Sequence, residues 1–104
     1  MNKASEIETI VACATGAVRA GVSIVRLSGP LSGKIYEALT RKKLPEANKA
    51  VYMKLFDQEG AIIDQCLAIS FQAPRSFTGE NLVEFHTHGS PYIVEQVILA
   101  CLKQ

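Results

Sequence analysis

A chain of 104 residues, 48% apolar and 20% charged, has the size and composition of one folded domain; two ordinary cores and a disordered segment are both excluded. Its 11 basic and 10 acidic side chains leave a formal net charge of +1, so no long-range field draws it toward nucleic acid or anionic lipid. Apolar stretches fall far short of the ~20 residues of a spanning helix, and Glu6 and Glu8 stand where a signal peptide would be apolar, so a cytoplasmic location with no membrane partner is expected.

Ile7 to Ala14 reads as a first strand ending at Thr15-Gly16, and Val22 to Ser28 as a second ending at Gly29-Pro30. Leu31, Ile35, Ala38 and Leu39 then recur at helical spacing, with Pro30 in the first turn and Arg41, Lys42 and Lys43 at the carboxyl end, where they suit the helix dipole. Val51, Met53 and Leu55 alternate with Tyr52 and Lys54, Asp57 to Gly60 supplies turn residues, and Ala61 to Phe71 resumes a strand pattern, together a hairpin. Gln72 to Asn81, with Pro74, Ser76, Thr78 and Gly79, reads as a loop. Leu82 to His88 is the last strand, followed by Ser90 as N-cap and Pro91 as first residue of a helix whose apolar face is Ile93, Val94, Val97, Ile98, Cys101 and Leu102. The order β-β-α-β-β-β-α predicts an α+β fold, a sandwich of a mixed sheet and two helices, rather than a doubly wound parallel sheet. Cys13, Cys66 and Cys101 are far apart and odd in number, which argues for reduced thiols in or near the core.

The chemistry is concentrated in two strands. In Leu82 to His88 the period of two places Glu84, His86 and His88 on one face, at intervals of about 6.6 Å. Three readings fit that row: ligands of zinc or iron needing help from elsewhere, polar residues of a half-solvated or interfacial face, or the lining of an organic-ligand pocket. Arg26 shares a face with Val22 and Ile24 where a hydrophobe is expected. Either its head reaches water at an edge or its fork holds a carboxylate, that of Glu84 or of a ligand. A pterin head group, with adjacent ring N–H and amino donors, suits one carboxylate in bidentate fashion, and Glu84 is the candidate. The turn at Gly89-Ser90-Pro91 offers a helix-start anion seat of the ordinary kind. Two phosphate motifs fail: Gly29 to Ile35 has three residues between its glycines and Ile35 in place of the magnesium-binding hydroxyl, and Gly16 to Gly21 is followed by Val22 instead of lysine. Arg41-Lys42-Lys43 is too short for a nucleic-acid patch.

Four runs carry a resemblance: Thr9-Ile10-Val11-Ala12 with Ala14-Thr15; Gly21-Val22-Ser23-Ile24-Val25-Arg26-Leu27-Ser28-Gly29; Pro74-Arg75-Ser76-Phe77-Thr78-Gly79-Glu80; and Glu84-Phe85-His86-Thr87-His88-Gly89. In this order, and across nearly the whole chain, they resemble the amino-terminal domain of the MnmE/TrmE family of tRNA-modification GTPases. The resemblance implies a fold akin to the tetrahydrofolate-binding domain of the glycine-cleavage T protein, a homodimer, and 5-formyltetrahydrofolate or a related tetrahydrofolate bound near the dimer interface. It assigns folate contacts to Arg26 and Glu84 and names no catalytic residue. For a longer parent protein it implies potassium-assisted, magnesium-dependent GTP hydrolysis coupled to modification of the wobble uridine of tRNA, with an MnmG/GidA-type flavoprotein as partner. Residues 1–104 are then the folate-binding and dimerisation domain, short at its carboxyl end and without the GTPase domain, so this chain alone is not expected to hydrolyse GTP. Departures from the family pattern lie at Gly16 to Gly21, at Ser90 in place of a second glycine, and beyond Gln104, where the family continues into a lysine-bearing folate segment.

Overall fold

Seven elements follow one another in the expected order: β1 (Ile10–Cys13), β2 (Val22–Ser28), α1 (Ser32–Thr40), β3 (Val51–Phe56), β4 (Ile62–Phe71), β5 (Leu82–His88) and α2 (Pro91–Leu102). The computed structural model describes residues 9–13, 21–76 and 78–104. β2 and β5 have the predicted bounds, whereas the expected flanks of β1 at 7–8 and 14, and the loop at 16–20, lie outside the described residues.

The strands form one sheet in the order β1-β2-β5-β4-β3, with every described neighbour antiparallel. The mixed sheet expected from the sequence is therefore an antiparallel one. The reason is the placement of β5, which inserts between β2 and β4 and runs opposite to both, so that no parallel crossover is needed.

Alternation along these strands separates two faces. Val25 and Leu27 of β2, Val83 and Phe85 of β5, and Cys66 and Ala68 of β4 are buried with Tyr36 and Leu39 of α1 and Val97, Ala100 and Cys101 of α2. The Tyr36 ring stacks on Phe85 with centroids 5.9 Å apart and planes 4° from parallel. Complete burial of an apolar side chain of this size stabilises the fold by about 1.5–3 kcal/mol, so this layer of side chains supplies most of the stability. The three cysteines are not joined in disulfides; burial pushes the Cys66 and Cys101 thiols up to about 12, with the Asp64 charge adding to the effect at Cys66.

The helix ends bear out the capping signals unevenly. Ser90 is extended and its Oγ accepts from the Ile93 N–H at 3.5 Å, with Pro91 in the first turn of α2, as predicted. Leu31 precedes α1 without a side-chain cap; instead Ser32 Oγ donates to the carbonyls of Gly29 and Asn81, tying the helix start to the end of β2 and to the loop before β5. The Gly29 to Ile35 segment is thus a strand-to-helix turn, Gly29 to Leu31, followed by the first turn of α1. Arg41 closes α1 at φ 60, and its guanidinium lies 4.6 Å from the Phe56 ring centroid, a contact worth roughly 0.5–1 kcal/mol at an exposed site. No helix among the described residues is long and apolar enough to cross a membrane.

Candidate functional site

Both helices cover the same side of the sheet, which leaves the alternate residues of the strands on a face that no helix covers. Antiparallel register sets Arg26 of β2 directly opposite Glu84 of β5, and Ile24 opposite His86. Directly opposed residues have Cβ atoms about 5 Å apart, close enough for a guanidinium to fold onto a carboxylate. It does so: Arg26 Nη2 donates to Glu84 Oε2 at 2.7 Å and Nε donates to the same oxygen at 3.0 Å. The other oxygen, Oε1, lies 3.0 Å from His86 Nε2. Three residues from two strands therefore form one connected cluster, with side chains only 24%, 12% and 26% exposed for Arg26, Glu84 and His86.

Burial pushes the Glu84 carboxyl upward, but the hydrogen bonds from Arg26 and His86 and the charges of the two partners outweigh it and hold the group below the ordinary carboxylate value. Apolar neighbours frame the cluster: Ile69 of β4 pairs with Glu84, Leu67 with His86, and Ala12 of β1 with Arg26. Beside His86 the face opens into a cavity of about 180 Å³ lined by Val22, Tyr52, Leu67, His86 and His88. At the far end of the face, Ser28 Oγ meets Thr78 Oγ1 at 2.8 Å and donates to Glu80 Oε1 at 3.0 Å, fastening the loop before β5 beside the cluster.

His88, on the same face by periodicity, does not join the cluster. Its Nδ1 sits 2.8 Å from Asp64 Oδ1, and its backbone N–H donates to Asp64 Oδ2 at 2.9 Å. Glu84 and His86 are thus bonded to each other while Asp64 holds His88 apart, which is the physical reason the three do not converge as metal ligands. No group of three or more His, Cys, Asp or Glu among the described residues is placed to hold a metal ion. The helix-start anion seat is also largely spent: Gly89 donates its N–H to the Gly21 carbonyl at 3.2 Å, Pro91 has none to give, and Ile93 donates to Ser90.

Sequence reasoning missed Asp64 and the link from Ser28 to Thr78 and Glu80. For Asp64 a signal was available: in Ile62–Phe71 it falls on the same alternate positions as Cys66 and Ala68, where a charge requires a partner. For Ser28 there was none, since two hydroxyls and a carboxylate 50 residues on meet only through the loop's path.

The class defined by this architecture is a small α+β domain with an Arg–Glu–His cluster on an open sheet face. Comparison with known proteins places it further: residues 9–104 match the family model described as the GTP-binding protein TrmE N-terminus, and the chain belongs to that family. It is similar to proteins named tRNA modification GTPase MnmE, with 49% identity over 94 residues to that of Ruegeria sp., covering 90% of this chain and 22% of the relative. Identity is 45% over 93 residues to the Acinetobacter baumannii protein, covering 89% of this chain and 20% of the relative. For the Pseudomonas syringae pv. tomato protein it is 42% over 96 residues, covering 92% and 21%. The chain thus spans about a fifth of the length of the curated relatives it matches.

Proposed function

We propose that the open face binds a reduced pterin, 5-formyltetrahydrofolate or a related tetrahydrofolate, and that the chain is the folate-binding and dimerisation domain of a GTPase that modifies the wobble uridine of tRNA. The observation that carries the ligand reading is the Arg26–Glu84 pair, 2.7 Å apart on a face no helix covers. A guanidinium beside a carboxylate presents donor, acceptor and acceptor in sequence. The pterin edge, a carbonyl next to a ring N–H next to an amino group, presents the complementary order. Arg26 would hold the carbonyl and Glu84 the two donors, while Ile24, Leu67 and Ile69 supply apolar surface for the rings. When bound, the folate supplies a one-carbon unit; the residues of this chain bind and orient it.

The same face suits a second copy of the chain. Ile10, Val22, Tyr52 and Leu67 are each at least 43% exposed around a cluster whose carboxylate is paired with Arg26, and a two-fold interface needs a self-complementary patch. A partner copy there would roof the ligand. The names of the relatives support tRNA modification and a GTPase; on the same reading, potassium and magnesium, tRNA and an MnmG/GidA-type flavoprotein would engage other parts of a longer protein.

Calorimetric titration with 5-formyltetrahydrofolate tests the ligand reading. Arg26→Ala and Glu84→Ala should each weaken binding by about 2 kcal/mol or more, the usual loss when one partner of a charge-assisted contact is removed. A folded wild-type chain that gives no binding heat would leave a dimerisation module without a ligand, and variants that bind as tightly as wild type would place the ligand away from Arg26 and Glu84.

A further inference from the structure

Glu84 lacks acceptor capacity for the ligand proposed above, and the shortage assigns a role to His86. An ionised carboxylate offers about four lone-pair directions. Three are taken, two on Oε2 by Arg26 Nε and Nη2 and one on Oε1 by His86 Nε2. A ring N–H beside an amino group brings two donors, so docking it opens at least one existing bond. The Arg26 contact is doubled and comes from a group that keeps its charge at every working pH. The His86 contact is single and comes from a ring that can lose its charge. His86 also lines the open cavity with Tyr52 and Leu67, which gives the ring room to turn away.

We propose that His86 is a displaceable latch on Glu84, a positioning residue that steadies the carboxylate against Arg26 in the free protein and yields Oε1 to the incoming ligand. This role rests on the pterin reading. Its consequence is a proton linkage. A protonated ring is a charged partner for Glu84 and resists displacement more than a neutral one, so the ligand favours the neutral ring, binding expels protons, and affinity rises with pH. The titratable or charged groups facing His86 are Glu84 and His88 on its own strand, Arg26 on β2, Tyr52 on β3 and Cys66 on β4. Its direct cross-strand neighbours, Ile24 and Leu67, carry no charge. His88 is the other imidazole, and it stays in place in a His86 variant, so a comparison with wild type isolates His86.

The test is titration of the whole chain with 5-formyltetrahydrofolate at about pH 6 and about pH 8, on either side of the imidazole range, in two buffers of different ionisation heat. Wild type should bind about tenfold more tightly at the higher pH and release protons at the lower one. His86→Gln keeps an N–H donor for Glu84 and cannot titrate; it should bind with one affinity at both pH values and release none. A pH slope that persists in His86→Gln, or its absence from wild type, overturns the latch. Binding that needs Arg26 and Glu84 but shows no proton release removes the latch and leaves the pterin reading standing. A folded chain that does not bind removes both.

Discussion

The face beneath the helices and the face turned away from them are built from the same strands, residue by alternate residue, yet they treat polarity differently. On the covered side the polar groups are mostly small and bonded locally: Thr87 Oγ1 donates to the Ser23 carbonyl at 3.4 Å, and Thr40 Oγ1 on α1 to Tyr36 at 2.8 Å. On the open side a guanidinium, a carboxylate and an imidazole are gathered in the centre of the sheet and ringed by Ile24, Leu67 and Ile69. Packing does not require this. A partly buried ion pair can often be replaced by apolar residues of similar volume at no loss of stability. Charge kept in the middle of an apolar face therefore argues for recognition, whereas the covered face is explained by burial apart from Asp64, which is bonded to His88.

The sharpest way to break that contrast is to remove Phe85, which is fully buried and stacked on Tyr36. Phe85→Ala should cost about 3–5 kcal/mol in urea denaturation, a large part of the total stability of a small domain. One position earlier on the same strand, Glu84→Gln removes the charge and keeps the shape. It should cost about 1.5–3 kcal/mol near neutral pH, the range for hydrogen bonds to charged groups. The cost should also fade in acid. Because the native carboxyl is held below its ordinary value, the stabilisation is present above the unfolded value of about 4.3 and disappears as pH falls through the native one. Urea midpoints from neutral to acid pH should show wild type approaching Glu84→Gln; a constant gap would mean that the ion pair contributes nothing through its charge.

The two faces also differ in how far they can be read from sequence. Alternation groups Val25 with Leu27 and Val83 with Phe85, and with equal force it groups Arg26 with Ile24 and Glu84 with His86 and His88, because strand periodicity is local. What local pattern does not contain is which strand lies beside which. Arg26 and Glu84 are 58 residues apart, and their contact depends on β5 inserting between β2 and β4 with a register that opposes those two residues. The need of a guanidinium for a carboxylate named Glu84 as one possible partner, and the resemblance assigned both residues to one ligand; periodicity supplied only the face within each strand. The same gap explains why the sheet was expected to be mixed, and why His88 was grouped with Glu84 when Asp64 on β4 claims it.

The smallest expected effect is the most informative about the open face. Tyr52 is 61% exposed and lies on the rim of the cavity beside His86, so Tyr52→Ser removes little that the single chain buries on folding. Its effect on the urea midpoint should stay within about 0.5 kcal/mol, as for surface substitutions generally. Association should respond differently. If a second copy covers this face, the hydroxymethyl side chain replaces an aromatic ring at the interface, where aromatic residues contribute disproportionately to binding. Sedimentation equilibrium should then show a weaker dimer at unchanged monomer stability. A loss of stability equal to the loss of association would place Tyr52 in the core it borders. An unchanged dimer would direct the interface to another surface, leaving the apolar rim to serve the ligand alone.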